Sequence, residues 1–274
     1  MKHEILDICV DYAKAGLSGT ASPKLYTYVR DASGEMKGHD KRPAVVICPG
    51  GGYSMTSDRE AEPIALAFLE KGFQCFVLRY SVKQVEFPGA LLELATAVAL
   101  VRSRAEEWNV DPEKIVVCGF SAGGHLAASL GTLWNRDFVT EPLGFHHEEH
   151  RPNGMILGYA VIGAGETAND TCFACCRNLL GSRYDAMLET VTLENQVGDH
   201  TPPVFIWHTV EDPVVPVEQS LVMAQALQKA GISYEMHIFP RGGHGLSLCT
   251  DEVNTPMPAG QAWPEWAARW LRDL

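Results

Sequence analysis

Long apolar runs are missing: no stretch approaches the roughly twenty residues of a membrane-spanning helix. Basic residues are scarce, 22 Lys and Arg against 34 Asp and Glu, which leaves a formal charge of −12. That balance argues against nucleic acid or an anionic membrane surface as the partner. The opening Met1-Lys2-His3-Glu4-Ile5-Leu6-Asp7 carries acids where a signal peptide has its apolar core. The expectation is therefore a soluble, cytoplasmic protein. Internal repeats, low-complexity tracts and linkers are also missing, so one domain over residues 1–274 is expected.

Cysteine is present, eight residues in all, but not in the spacing of a disulfide framework. Cys48, Cys75 and Cys118 fall at or inside predicted buried strands, where a thiol packs as a small apolar group. Cys172, Cys175 and Cys176 are clustered, yet no second pair follows to complete a metal site. His146, His147 and His150 lie beside Glu148 and Glu149 in the polar stretch 135–151. No apolar framework surrounds them to fix ligand geometry, so the segment reads as a solvated loop. No metal or organic cofactor is expected.

What the chain does have is 46% hydrophobic residues, ample for a sizeable core. Apolar, β-branched runs alternate with helical ones. Strands are expected at 24–29, antiparallel and at the sheet edge, then at 44–48, 73–78, 114–118, 154–162, 203–208 and 234–239. Helices are expected at 60–71, 88–108, 125–134, 217–230 and 263–271. Asp111-Pro112 reads as the turn into the 114–118 strand. The alternation predicts an α/β fold with a mostly parallel sheet covered on both faces. Residues 163–200, inserted between two core strands with helical character at 171–180 and 184–193, form a candidate cap.

The chain is organised around Gly119-Phe120-Ser121-Ala122-Gly123. A buried strand precedes this Gly-x-Ser-x-Gly and an Ala/Leu-rich helix follows it, the context that makes the serine a nucleophile. A serine hydroxyl needs a base to take its proton and a third group to hold that base. Asp212 follows the 203–208 strand and His244 follows the 234–239 strand. Functional groups gather beyond the carboxyl ends of strands in such sheets. The order Ser121, Asp212, His244 is the one used by α/β-hydrolases. Glu211 competes with Asp212, but Asp212 is in register with Val215-Pro216. His208 competes with His244, whose flanking glycines give it a loop able to deliver the imidazole. His208 is expected beside the acid loop, and His125, one turn into the serine helix, is expected to be structural.

Pro49-Gly50-Gly51-Gly52-Tyr53 follows an early core strand. With Gly-Phe-Ser-Ala-Gly-Gly-His and Asp212-x-x-Val215-Pro216, it makes the chain resemble the α/β-hydrolase esterases of the hormone-sensitive-lipase-like group. The similarity is greatest to bacterial acetyl-xylan and feruloyl-type esterases, although Pro49 stands where His-Gly-Gly-Gly enzymes carry histidine. The resemblance spans 44–244. It implies Ser121 as nucleophile, His244 as general base and acid, and Asp212 as the orienting acid. It also implies an oxyanion hole from the amides of Gly51, Gly52 and Ala122. Tyr53 and Tyr80 read either as walls of the acyl or alcohol pocket or as ordinary half-buried aromatics. The implied activity is hydrolysis of short acyl esters, notably acetyl esters on plant cell-wall sugars; the cytoplasmic expectation narrows the small-molecule substrates to acetylated xylo-oligosaccharides or other small esters. A feruloyl or aryl esterase, an arylformamidase-like amide hydrolase, and a catalytically silent binding module are the alternatives.

Overall fold

Strand and helix alternate along the chain in the computed structural model, which describes residues 1–36, 41–146, 148–253 and 255–274. The elements are β1 (Ile5–Asp7), β2 (Lys24–Tyr28), β3 (Arg42–Cys48), α1 (Glu62–Glu70), β4 (Gln74–Arg79) and α2 (Gly89–Ser103). They continue with β5 (Val110–Phe120), α3 (Ala122–Leu133), α4 (Asp137–Leu143), β6 (Gly154–Gly158), α5 (Asp170–Leu180) and α6 (Tyr184–Met187). The last four are β7 (Val204–Thr209), α7 (Glu218–Ala230), β8 (Tyr234–Phe239) and α8 (Trp263–Arg272).

One eight-stranded sheet runs in the order β1-β2-β4-β3-β5-β6-β7-β8. Only β1–β2 and β2–β4 pair antiparallel, and every other neighbour is parallel. The expected α/β architecture is the one observed. Successive residues of a strand face opposite sides. Val46 and Cys48 of β3 accordingly pack with α2, α3 and α7, whereas Val45 and Ile47 pack with α1 and α8. Both faces are dry, which accounts for the unbroken apolar runs. Each fully buried Val, Leu or Ile in them contributes about 1.5–3 kcal/mol.

The strand order also fixes where function can sit. The chain leaves β3 toward β4 and returns to place β5 on the other side of β3. Loops after β3 and β5 therefore leave the sheet side by side, with Cys48 paired to Gly119. Such a reversal opens a crevice at the strands' carboxyl ends.

Several local expectations change. The antiparallel strand β2 is not the edge, because the three-residue β1 covers it. So short a strand leaves no alternation to read. Asp111 and Pro112 lie inside β5, where the register with β3 breaks between Arg42 and Ala44; a bulge absorbs the turn chemistry. Helix α2 stops at Ser103 rather than Trp108, and Trp108 packs fully buried beyond its end. Strand β6 ends at Gly158, since Tyr159 turns to φ +35°. The stretch 135–151 contains α4, closed by Gly144 in the left-handed conformation. Within that stretch His146 is exposed, but His150 is buried, donating from Nε2 to the Trp134 carbonyl at 2.6 Å and stacked on Phe145. His147 lies outside the described residues. No helix among the described residues is long and apolar enough to cross a membrane. All eight cysteines are free, and seven are buried.

Candidate active site

Ser121 sits between β5 and α3 with φ +53° and ψ −121°. For a residue with a Cβ this is strained backbone, of order 1–3 kcal/mol. The flanking glycines explain how the turn survives. A Cβ on Gly119 would lie 2.0 Å from the Gly123 carbonyl, and one on Gly123 would lie 2.0 Å from the Cys48 carbonyl. The elbow and the loop after β3 are thus packed backbone against backbone. Gly123→Ala is expected to destabilise by about 3 kcal/mol, the upper part of the overpacking range, because the new methyl would meet the Cys48 and Pro49 carbonyls at 2.0 and 2.4 Å and neither can swing away. A Tm drop of ~6–12 °C by calorimetry checks it; an unchanged Tm contradicts it.

The three residues picked from separate strand ends meet. His244 Nε2 is 2.9 Å from Ser121 Oγ, and His244 Nδ1 is 2.7 Å from Asp212 Oδ2. Asp212 Oδ1 accepts from the amides of Val214 and Val215 at 2.8 and 3.0 Å. Val215 is therefore part of the acid's cradle, which is why the Asp-x-x-Val spacing distinguishes Asp212 from the exposed Glu211. His208 is fully buried, with Nδ1 2.8 Å from Ser220 Oγ and Nε2 3.3 Å from Asp212 Oδ2. It stands beside the acid loop, as expected. Burial pushes the Asp212 carboxyl up, but hydrogen bonds from His208 and His244, the His244 charge and the Val215 amide outweigh it. The net result holds Asp212 well below the usual carboxylate range.

The loop after β3 can be accounted for atom by atom. The Pro49 carbonyl accepts from Tyr80 Oη at 2.7 Å, and the Gly50 carbonyl from the Ser57 amide at 2.9 Å. The Gly51 carbonyl accepts from Ser54 Oγ at 2.9 Å, and the Gly52 carbonyl from Asn178 Nδ2 at 2.8 Å. The Gly50 amide donates to Glu60 Oε2 at 2.7 Å. No hydrogen bond among the described residues uses the amides of Gly51 or Gly52. Ala122 opens α3, so its amide has no carbonyl one turn back. The Ala122 amide lies at the positive end of the α3 dipole.

Tyr53 and Tyr80 are placed differently from a pocket wall. They are 2% and 3% exposed, and their hydroxyls are already used, Tyr80 on Pro49 and Tyr53 on His125 Nδ1 at 2.9 Å. Both brace the glycine loop from inside the core. His125 Nε2 reaches the Val191 carbonyl at 2.9 Å, and burial lowers its pKa to about 4, so it is a neutral structural imidazole.

Sequence reading missed three participants. By sequence Glu60 reads as a helix start, Tyr159 as part of a strand and Asn178 as part of the insertion. Helix α5 spans the two loops, with Asn178 on Gly52 and Asn169 Nδ2 on the Val214 carbonyl at 3.0 Å. No sequence signal marks these contacts, which join residues 45 and 126 positions apart. Among the described residues no group of three or more His, Cys, Asp or Glu is arranged to hold a metal ion.

The BD-FAE family model matches residues 31–227. The chain is 37% identical over 246 residues to endo-1,4-beta-xylanase B of Butyrivibrio fibrisolvens, covering 87% of this chain and 37% of that one. It is 32% identical over 213 residues to the acetylxylan esterase of Xylanibacter ruminicola, covering 76% and 42%. The chain thus spans about two fifths of the length of these curated relatives. Among solved structures, the acetyl ester-xyloside bifunctional hydrolase of Caldicellulosiruptor lactoaceticus superposes with TM-score 0.82 at 34% identity, covering 98% of this chain and 96% of that one. The chain belongs to the BD-FAE family, within the α/β-hydrolase esterases.

Proposed function

We propose that the protein is a serine carboxylesterase that forms an acyl-enzyme on Ser121 and acts on short acyl esters, acetylated xylo-oligosaccharides among them. The observation that carries the reading is the Ser121–His244–Asp212 chain, at 2.9 and 2.7 Å. His244 takes the Ser121 proton as Oγ attacks the acyl carbon, and the amides of Gly51, Gly52 and Ala122 hold the resulting oxyanion. His244 then passes the proton to the leaving alcohol, and water, deprotonated by the same imidazole, releases the acid. A cavity of about 280 Å³ that His244 lines together with Arg241, Leu246, Thr255 and Met257 supports a small substrate. The names of the acetylxylan esterase and the acetyl ester-xyloside hydrolase support acetyl as the acyl group and a xylose-based alcohol.

We further read 1–274 as a single domain with residues 163–200 as its cap, because α5 bonds to both the glycine loop and the acid loop. The test is a series of p-nitrophenyl esters from acetate to octanoate, with p-nitrophenyl ferulate and acetylated xylo-oligosaccharides alongside. Turnover should be greatest on acetate, fall with acyl length, and extend to the oligosaccharides. Turnover on ferulate alone would move the protein to the aryl-ester branch. Inertness toward every ester would leave amide hydrolysis or a binding role.

A further inference from the structure

Glu60 lies in the short turn Asp58–Glu60, next to exposed Asp58 and Arg59, yet it is only 2% exposed. No ion pair among the described residues includes it. A carboxylate is expensive to bury unless both oxygens find donors. Both do. The Gly50 amide donates to Oε2 at 2.7 Å and the Tyr159 hydroxyl donates to Oε1 at 2.8 Å.

Those two donors belong to opposite halves of the site. Gly50 starts the glycine loop, and a Cβ on it would lie 2.7 Å from Glu60 Oε2 and 3.0 Å from the Ser121 Cβ. Tyr159 accepts the Ser247 amide at 2.9 Å, and its ring meets the His244 imidazole edge-on at 5.1 Å. Ser247 in turn donates its hydroxyl to the Arg59 carbonyl, closing the circuit back onto the Glu60 turn.

We propose, on the esterase reading above, that Glu60 is a positioning residue: its two oxygens set the glycine loop and the histidine loop relative to Ser121. Committing the Gly50 amide leaves the next two, Gly51 and Gly52, for the oxyanion. Holding Tyr159 holds both the base of the His244 loop and the ring beside the imidazole. Errors in either position weaken interactions that grow toward the transition state, so the effect falls on kcat and not on KM.

Glu60→Gln keeps the size but replaces one acceptor with an NH₂, so either Gly50 or Tyr159 faces a donor. Tyr159→Phe keeps the ring and removes only the hydroxyl link. The full chain is assayed with p-nitrophenyl acetate, with unfolding followed in parallel. Inhibition is measured with 1,1,1-trifluoroacetone, whose adduct with a serine carries an oxyanion. Expected is a kcat loss of ~10–100-fold for Glu60→Gln and ~3–10-fold for Tyr159→Phe, below the full loss of an oxyanion donor. KM should stay within about twofold, trifluoroacetone should weaken in parallel with kcat, and the double variant should resemble Glu60→Gln alone because both act through one chain of bonds. Should Glu60→Gln not fold, Tyr159→Phe decides by the same split. Unchanged kcat per folded molecule in both variants, or a KM rise with kcat intact, overturns the proposal. Parent turnover that survives Ser121→Ala would count against the esterase reading; Ser121-dependent turnover with undiminished kcat in both variants counts against Glu60 alone.

Discussion

Ser121→Ala is expected to lower kcat/KM on p-nitrophenyl acetate by about 10⁵–10⁶, the scale seen when a triad nucleophile is removed. Removing Oγ deletes the attacking atom and leaves the amides and pocket, which alone retain modest catalysis over water. The fold should hardly respond. Ser121 keeps φ +53° because β5, α3 and its own backbone bonds fix it: its amide donates to Gly158 and its carbonyl accepts from His125 and Val161. Alanine keeps all three, so stability should stay within about 1 kcal/mol of the parent. A strong activity loss with an unchanged Tm separates chemistry from folding. Equal losses of both would point to a structural serine.

Asp212→Asn should cost about 10⁴ in kcat, through the tautomer of His244. The two amides of Val214 and Val215 already donate to Oδ1. An asparagine would answer them with its carbonyl oxygen, turning its NH₂ toward His244 Nδ1 and His208 Nε2. His244 would then have to accept at Nδ1 and carry its proton on Nε2, facing Ser121. An imidazole in that state cannot take the serine proton. The acid side of the stability profile gives an independent check. The Asp212 carboxyl is held below its ordinary value in the folded state. Its contribution is therefore present above the unfolded-state value of about 3.9 and is lost as pH falls through the folded one. Asparagine has no such proton to gain, so the stability gap between parent and variant should narrow in acid. A gap independent of pH would mean that the charge of Asp212 is not what stabilises the loop.

How much of this was legible depended on how local the cause was. The strand, turn and helix around Ser121 could be read because glycine, β-branched and Ala/Leu-rich segments follow one another within twenty residues. Asp212 could be told from Glu211 because its cradle, Val214 and Val215, is adjacent in sequence. The sheet's direction followed from the alternation. What the sequence does not reveal depends on contacts between distant segments. Glu60 reads as an exposed acid at a helix start, and only the fold brings it to Tyr159, 99 positions away. Tyr53 and Tyr80 look like pocket aromatics until their hydroxyls are seen bonded inward. The edge strand β1 was too short for a pattern, and α4 was masked by the charge and proline of its surroundings. Burial and partner choice are decided in three dimensions, and those are the properties that set a side chain's role.

The most direct test of the account is to treat the protein with paraoxon, an organophosphate that phosphorylates activated serines, and locate the adduct by peptide mass spectrometry. The account predicts one diethylphosphoryl group, on Ser121 in the peptide containing Cys118-Gly119-Phe120-Ser121, formed at the rate at which esterase activity is lost. Loss of activity with the adduct on another residue, or full labelling of Ser121 with activity intact, would contradict it.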